Sequence, residues 1–264
     1  MAGNDYVFQD ANMQREWQRL RRIEDVFDPG SQRRLLAAGM HTGARCLEVG
    51  PGAGSIARWM SGQAGPSGHV TVVEINPQFL TDRNGFEVIQ GDIREVTLPA
   101  QSYDVIHARY VLLHIPDHRK ALANMLHALK PGGRVVLEEP DFTTARAVNG
   151  TEHEMAAVHR VNQAIEVMYR AKRIDPAFGA SLPTLAVEYG LTDIHVDVDL
   201  PLVPGGAGVA DVMAQSAEQL TDRYIATQVA SREDVLTYIG MCRRQDRWAF
   251  YYATVAVTAH KKAV

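Results

Sequence analysis

The chain has 264 residues, of which 46% are hydrophobic and 22% charged, and carries a formal net charge of −4. That is enough apolar material for one α/β core with a cap, and it provides no global positive field to draw nucleic acid or an anionic membrane. The local arginine clusters, Arg15, Arg19, Arg21 and Arg22 near one end and Arg243, Arg244 and Arg247 near the other, sit among acids and read as solvated polar faces.

The first residues, "MAGNDYVFQDANMQREW", hold neither a basic block nor an apolar run of leader type. Trp17, Leu20, Ile23 and Phe27 then recur every three or four positions, which predicts an amphipathic helix stopped by Asp28-Pro29-Gly30. A second short helix near "SQRRLLAAG" leads into the first strand. From there the period changes, and "RCLEV", "HVTVVEI", "FEVIQGD", "YDVIHAR" and "GGRVVLEEP" read as five short strands with helical or polar sequence between them. That alternation predicts a parallel sheet covered on both faces. The clearest connecting helix is "HRKALANMLHALKPGG", with Leu122, Met125, Leu126 and Leu129 on one face and "KPGG" as its stop. After Pro140 the alternation breaks: residues 141 to about 183 contain helical sequence and no strand candidate. "LTDIHVDVDLPL" reads as a sixth strand, two helices follow, and "WAFYYATVAVTAHKK" reads as a final strand too short to span a bilayer. Cys46 and Cys242 have no C-x-x-C or histidine spacing and read as reduced thiols. The expectation is a soluble cytoplasmic protein.

The turn after the first strand, "CLEVGPGAGSIARWM", places Gly50, Gly52 and Gly54 between a strand and a helix, where backbone N–H groups face a ligand at the carboxyl end of a sheet. A dinucleotide fingerprint wants G-x-G-x-x-G, which this spacing does not match, and there is no Gly-Lys-Ser/Thr for a phosphate loop. Glu74 closes the second strand 24 residues after Gly50, where a carboxylate can accept from two ribose hydroxyls. That alone would suit NAD. Asp92, after the third strand, adds a second acid able to accept from an adenine amine, with Ile75 and Ile93 as apolar contacts to the ring. A nucleoside read by two carboxylates fits better than a dinucleotide.

In order, "LEVGPGAG", "VVEI", "QGDI", "YDVIHAR" and "LKPGGRVVLEE" resemble the five motifs of the class I S-adenosylmethionine-dependent methyltransferases, a likeness that covers residues 45 to 140. "HIPDHRKALANMLHALKPGG" and "DPAFGASLPTLAVEYGL" look like the small-molecule branch of quinone and secondary-metabolite enzymes. The resemblance implies a doubly wound, seven-stranded Rossmann-like sheet in the order 3-2-1-4-5-7-6 with the last strand antiparallel. It also implies S-adenosylmethionine as cofactor. Glu48, Gly50, Gly52 and Gly54 would shape the pocket for the methionine moiety, Glu74 would hold the ribose, Asp92 and Ile93 the adenine, and Arg109 would lie near the methionine end mainly through its backbone. On this reading a single domain divides into an N-terminal helical lid (1–44), a cofactor-binding half (45–140), a helical insertion or substrate cap (141–183) and the C-terminal half of the sheet (184–264).

Transfer from a sulfonium depends on alignment and exclusion of water. Tyr6, Phe8 and Trp17 are therefore candidate lid residues, with anchoring of the first helix as the bland alternative. An acceptor hydroxyl must also lose a proton, and His114, in the loop after the fourth strand together with Tyr110, is the candidate base; the alternative is a histidine that only packs the loop. His153 and His159 lie at i and i+6 on different faces of a helix, and H-E-x-x-H is not matched, so no metal is expected. The expected partner is a small, largely apolar acceptor, aromatic or heteroaromatic, with no nucleic acid or membrane and with a homodimer allowed. An NAD(P)-dependent oxidoreductase and a cofactor-binding cyclase or other non-methylating relative are the alternatives.

Overall fold

The computed structural model describes residues 13–263. The chain divides into two compact units: a sheet unit of Phe27–Glu139, Ala180–Asp197 and the stretch from Val255, and a helical unit of the stretch up to Val26, Pro140–Gly179 and Val198–Thr254.

The first element corrects the sequence reading. In place of two helices parted at Asp28-Pro29-Gly30 there is one, α1 (Met13–Ala37), with Pro29 inside it. An internal proline removes one helical hydrogen bond and costs about 3 kcal/mol. A tertiary contact offsets that cost: the Arg109 guanidinium donates to Asp28 Oδ1 and Ser31 Oγ, both at 2.8 Å, and so holds the residues on either side of Pro29. A second correction falls on Arg19. Rather than being solvated, it is 6% exposed and donates through Nε and Nη2 to Glu16 at 2.9 and 2.8 Å. Burial of that helix face requires a bidentate partner for the guanidinium.

The five Val- and Ile-rich segments form β1 (Arg45–Val49), β2 (His69–Glu74), β3 (Glu87–Gln90), β4 (Tyr103–Arg109) and β5 (Leu129–Asp141), with α2 (Ser55–Ala64) after β1 and α3 (His118–Ala128) after β4. β6 (Arg146–Ala147), α4 (Glu152–Ala171), α5 (Phe178–Glu188), β7 (Thr192–Asp199), β8 (Leu202–Pro204), α6 (Val209–Ala226), α7 (Arg232–Arg243), β9 (Trp248–Phe250) and β10 (Ala253–His260) follow. The main sheet runs β3-β2-β1-β4-β5-β10-β7, and β1 to β5 pair in parallel. Counted along the chain within this sheet, that is the expected order 3-2-1-4-5-7-6, with the last strand antiparallel. One face is apolar where Cys46, Val105 and Val136 meet Leu35, Ile56 and Met60.

In the helical unit, α4 and α7 each start with a capping box, Thr151 with Glu154 and Ser231 with Asp234, which satisfies the first N–H groups of both helices. α4, α6 and α7 pack on one another, burying Val161, Ile165, Val212, Leu220 and Val235. A small antiparallel sheet, β6-β9-β8, completes this unit. It corrects two expectations: a strand does occur between residues 141 and 183, and the final apolar run is split at the buried Tyr251 and Tyr252 into β9 and β10. Strands of two or three residues are too short for a period of two to show in sequence.

Candidate functional site

β3, β2, β1 and β4 end along one edge, and the residues singled out from sequence fall there in spatial order: Asp92 past β3, Glu74 closing β2, Glu48 and Gly50 at β1, and Arg109 and Tyr110 at β4. The edge is tied together by backbone bonds from Gly91 N to Glu74 O (3.0 Å), Gly50 N to Val73 O (3.0 Å) and Tyr110 N to Glu138 O (2.8 Å). The order of strands reverses between β1 and β4, and a crevice outside the carboxyl ends at such a switch point is where open α/β sheets bind ligands.

Two glycines explain the turn. Gly50 has φ 66°, and a Cβ there would lie 2.4 Å from Val111 Cγ2; Gly54 has φ 90°, and its Cβ would meet Arg58 Nη1 at 2.9 Å and Leu80 Cδ2 at 3.0 Å. A side chain at either point would thus be strained, and Gly54 is the N-cap residue of α2, with no side-chain cap. Gly52 shares the left-handed backbone at φ 61°.

Glu74 is partly buried, and its Oε1 accepts from Asn76 N at 2.8 Å. Burial pushes its carboxyl above the usual range, against the pull of the Asn76 and Ile75 amides. Asp92 accepts from the Arg94 backbone at 2.9 Å and from its guanidinium at 2.6 Å, and that guanidinium holds the acid below its ordinary value. Arg94 Nε also donates, shared between the two oxygens at 3.0 Å, so three donors meet about four lone-pair sites and one site is left for a further donor. Ile75 stands 48% exposed, available to a flat apolar ligand, whereas Ile93 is packed to 4% and its carbonyl accepts from Asn124. Ile93 therefore has little side-chain surface left for a ring.

The loop after β4 is built on Tyr110, whose φ of 57° is rare for a bulky residue. Its ring meets Phe27 edge-on at 5.3 Å. Leu112–His114 forms a single 3₁₀ turn, which places His114, partly exposed, four residues past Tyr110. Glu139, which sequence reasoning missed, holds this loop: fully buried, it accepts backbone N–H bonds from Val111 (3.1 Å), Leu112 (2.7 Å) and Leu113 (3.4 Å). Burial pushes its carboxyl up to about 8 in spite of those three donors.

Beneath the edge lies a second group that sequence reasoning did not assemble. On the face that is apolar at Cys46, Val105 and Val136, the next inward positions are Glu48, His107 and Glu138. His107 is fully buried, with Nδ1 2.7 Å from Glu48 Oε2 and Nε2 3.0 Å from Glu138 Oε1; Arg34 Nη1 donates to Glu138 Oε2 at 3.1 Å. Burial opposes charge on the ring, but the two carboxylates outweigh it and push His107 up to about 9. Burial likewise opposes the Glu138 charge, and the His107 hydrogen bond, with the cations of His107, Arg109 and Arg34, holds it down at about 2. Three polar residues at inward positions of neighbouring strands were the available signal. The Arg109 side chain is committed to α1, so any ligand contact from this residue falls to its backbone.

Of the lid candidates, Tyr6 and Phe8 lie outside the described residues, and Trp17 is 40% exposed, which does not suit a core anchor. Among the described residues no group of three or more His, Cys, Asp or Glu is arranged to hold a metal ion, and no helix is long and apolar enough to cross a membrane. A glycine turn and the carboxylates of Glu74 and Asp92 along one edge fit S-adenosylmethionine.

A family model described as a methyltransferase domain matches residues 11–195. Methyltransferase str2 of Strobilurus tenacellus is 26% identical over 262 residues, covering 92% of this chain and 94% of its own. The ubiquinone/menaquinone biosynthesis C-methyltransferase UbiE of Pseudomonas savastanoi pv. phaseolicola is 31% identical over 112 residues, 39% of this chain and 44% of its own. The solved structure of phosphoethanolamine N-methyltransferase 2 from Haemonchus contortus, in complex with phosphomonomethylethanolamine and S-adenosylhomocysteine, superposes with a TM-score of 0.58 at 18% identity, covering 95% of this chain and 58% of that one. At that identity the likeness is one of fold.

Proposed function

The chain belongs to the methyltransferase-domain family and is an S-adenosylmethionine-dependent methyltransferase of small molecules, and from that premise we propose that its acceptor is largely apolar, an aromatic or heteroaromatic metabolite. The observation that carries the site assignment is the order along the sheet edge: Asp92, Glu74, the glycine turn, then the Tyr110–His114 loop. The acceptor class is supported by the UbiE relative, whose name places its C-methylation in quinone biosynthesis, and by a net charge of −4 that does not suit a polyanionic acceptor.

Bound S-adenosylmethionine supplies a methyl group already activated on a sulfonium. The protein's part is alignment and proton management. The glycine turn and Glu48 receive the amino-acid end, Glu74 the ribose hydroxyls and Asp92 the adenine amine. Tyr110 and His114 border the methyl end, where a His114 ring nitrogen takes the proton from an acceptor hydroxyl. Buried Cys46 and Cys242, both free thiols, support a reducing compartment.

Incubation of the purified protein with S-adenosylmethionine and a panel of phenols, quinols, aromatic amines and indoles, followed by mass analysis, tests the acceptor class. The expected result is a product heavier by one methylene and formation of S-adenosylhomocysteine. Cofactor binding with no transfer to any panel member would favour a non-methylating relative. Transfer confined to charged aliphatic amines would overturn the aromatic reading.

A further inference from the structure

The geometry around His107 carries a role that the sheet edge alone does not assign. Both ring nitrogens face carboxylates, Glu48 at 2.7 Å from β1 and Glu138 at 3.0 Å from β5. A neutral imidazole has one N–H, so one of its lone pairs would oppose a carboxylate lone pair; a doubly protonated ring donates to both. Glu138 is ionised because it also accepts from Arg34 of α1 at 3.1 Å, with the Arg109 guanidinium of β4 close by and itself paired to Asp28. Arg34 in turn reaches Asp197 of β7 at 3.5 Å. The cations His107, Arg34 and Arg109 thus lie among the carboxylates of Glu48, Glu138, Asp28 and Asp197. Among the described residues the Glu48 carboxylate is hydrogen-bonded to His107 alone, through Oε2, which leaves Oε1 for a ligand.

We propose that His107 is a positioning residue, doubly protonated and clamped by Glu138, that fixes the Glu48 carboxylate in the ionised, oriented form that receives the ammonium of the cofactor's amino-acid end. The inference rests on the placement of Glu48 at that end in the functional reading above. It makes Glu48 one end of a relay anchored in α1, so a residue with no ligand contact sets how well one part of the cofactor is held.

Two measurements test it. In wild-type protein labelled with ¹⁵N-histidine, both His107 ring nitrogens should carry protons at pH 7 and the ring should lose one only as pH rises toward about 9; a singly protonated ring at pH 7, with the proton on Glu48 instead, overturns the proposal. Calorimetry then compares S-adenosylhomocysteine with 5′-methylthioadenosine, which lacks the amino-acid end. His107→Gln should weaken S-adenosylhomocysteine about 10- to 100-fold, as for loss of a hydrogen bond to a charged group, and leave methylthioadenosine within about twofold. The double variant with Glu48→Gln should bind no more weakly than Glu48→Gln alone. Equal weakening of both ligands would show a merely structural histidine and overturn the proposal. If wild-type protein binds neither ligand, the cofactor site itself is misplaced and the proposal falls with it, whereas wild-type binding with no response to His107→Gln overturns the relay alone. Should His107→Gln fail to fold, the nitrogen measurement on wild-type protein decides.

Discussion

In the sheet unit the buried charges Glu48, His107 and Glu138 come from three neighbouring strands and bond to one another across 59 and 31 residues of chain, whereas the helical unit's pair with both side chains buried, Glu16 and Arg19, lies three residues apart on one helix. Bringing distant charges together inside a core carries a large desolvation cost, and a chain that does so at the carboxyl ends of its strands has concentrated its polar chemistry where the ligand crevice lies. The helical unit pairs its distant charges at part-buried positions, Arg160 with Asp234 and Arg247 with Glu154 across 74 and 93 residues, beside two capping boxes and an i,i+3 ion pair around an apolar helix interface. Substitutions of the ligand-facing residues at the sheet edge should therefore move binding and turnover, and those at the helix caps of the helical unit should move stability alone.

The largest expected effect is on turnover. With a phenolic acceptor His114→Ala should lower kcat by roughly 10²–10⁴-fold while S-adenosylhomocysteine binding is kept. A full rate in a folded variant would reduce His114 to a loop residue. Next, Gly50→Ala introduces a Cβ 2.4 Å from Val111 Cγ2 at a backbone angle that disfavours it, and should cost about 3 kcal/mol of cofactor affinity by calorimetry. Affinity within threefold of wild type would remove the turn from the site.

Glu139→Ala strips three backbone N–H groups of their acceptor and should lower unfolding free energy in urea by about 3 kcal/mol. The pH dependence has a definite sign. The folded-state value of about 8 lies above the ordinary 4.5 of an unfolded glutamate, so the folded protein binds the extra proton. The Glu139 contribution is therefore fully present below about 4.5 and is lost as pH rises through about 8. His107, pushed up from 6.5 to about 9, acts in the same direction over its own window. Glu139→Gln should flatten the first of these slopes, and an unchanged slope would assign it elsewhere.

Glu74→Ala should weaken S-adenosylhomocysteine by about 2 kcal/mol through loss of ribose hydrogen bonds to a carboxylate, with little change in melting temperature. The smallest effect belongs to the helical unit: Ser231→Ala removes a capping box and should cost about 1 kcal/mol of stability with cofactor affinity intact. A comparable loss of affinity there would break the division between the units.

The same contrast sets what could be read from sequence. The five parallel strands and the edge positions of Gly50, Glu74 and Asp92 were legible because short apolar runs mark the strands and a glycine or an acid follows or closes most of them, whereas the strand order came from the resemblance of the motifs to a known family. The continuity of α1 through Pro29 was not, since the Arg109 contacts to Asp28 and Ser31 that sustain it arrive from 81 and 78 residues away. Glu138 and Glu139 looked alike in "LEEP", yet alternate faces of β5 send one to His107 and the other to the amides of the 3₁₀ turn. Only the register between strands separates those two tasks, and register is a property of paired chains rather than of either sequence alone.

The two cysteines have a practical consequence. Cys46 and Cys242 are fully buried, and burial pushes both thiols up to about 12, so neither presents a thiolate to solvent at neutral pH. A cysteine introduced at an exposed position such as Val187 or Leu236 would be the one reactive thiol under mild maleimide labelling. The native chain can thus carry labels at chosen sites without prior removal of its own sulfurs, and a pair of introduced cysteines would report distances within the fully folded enzyme.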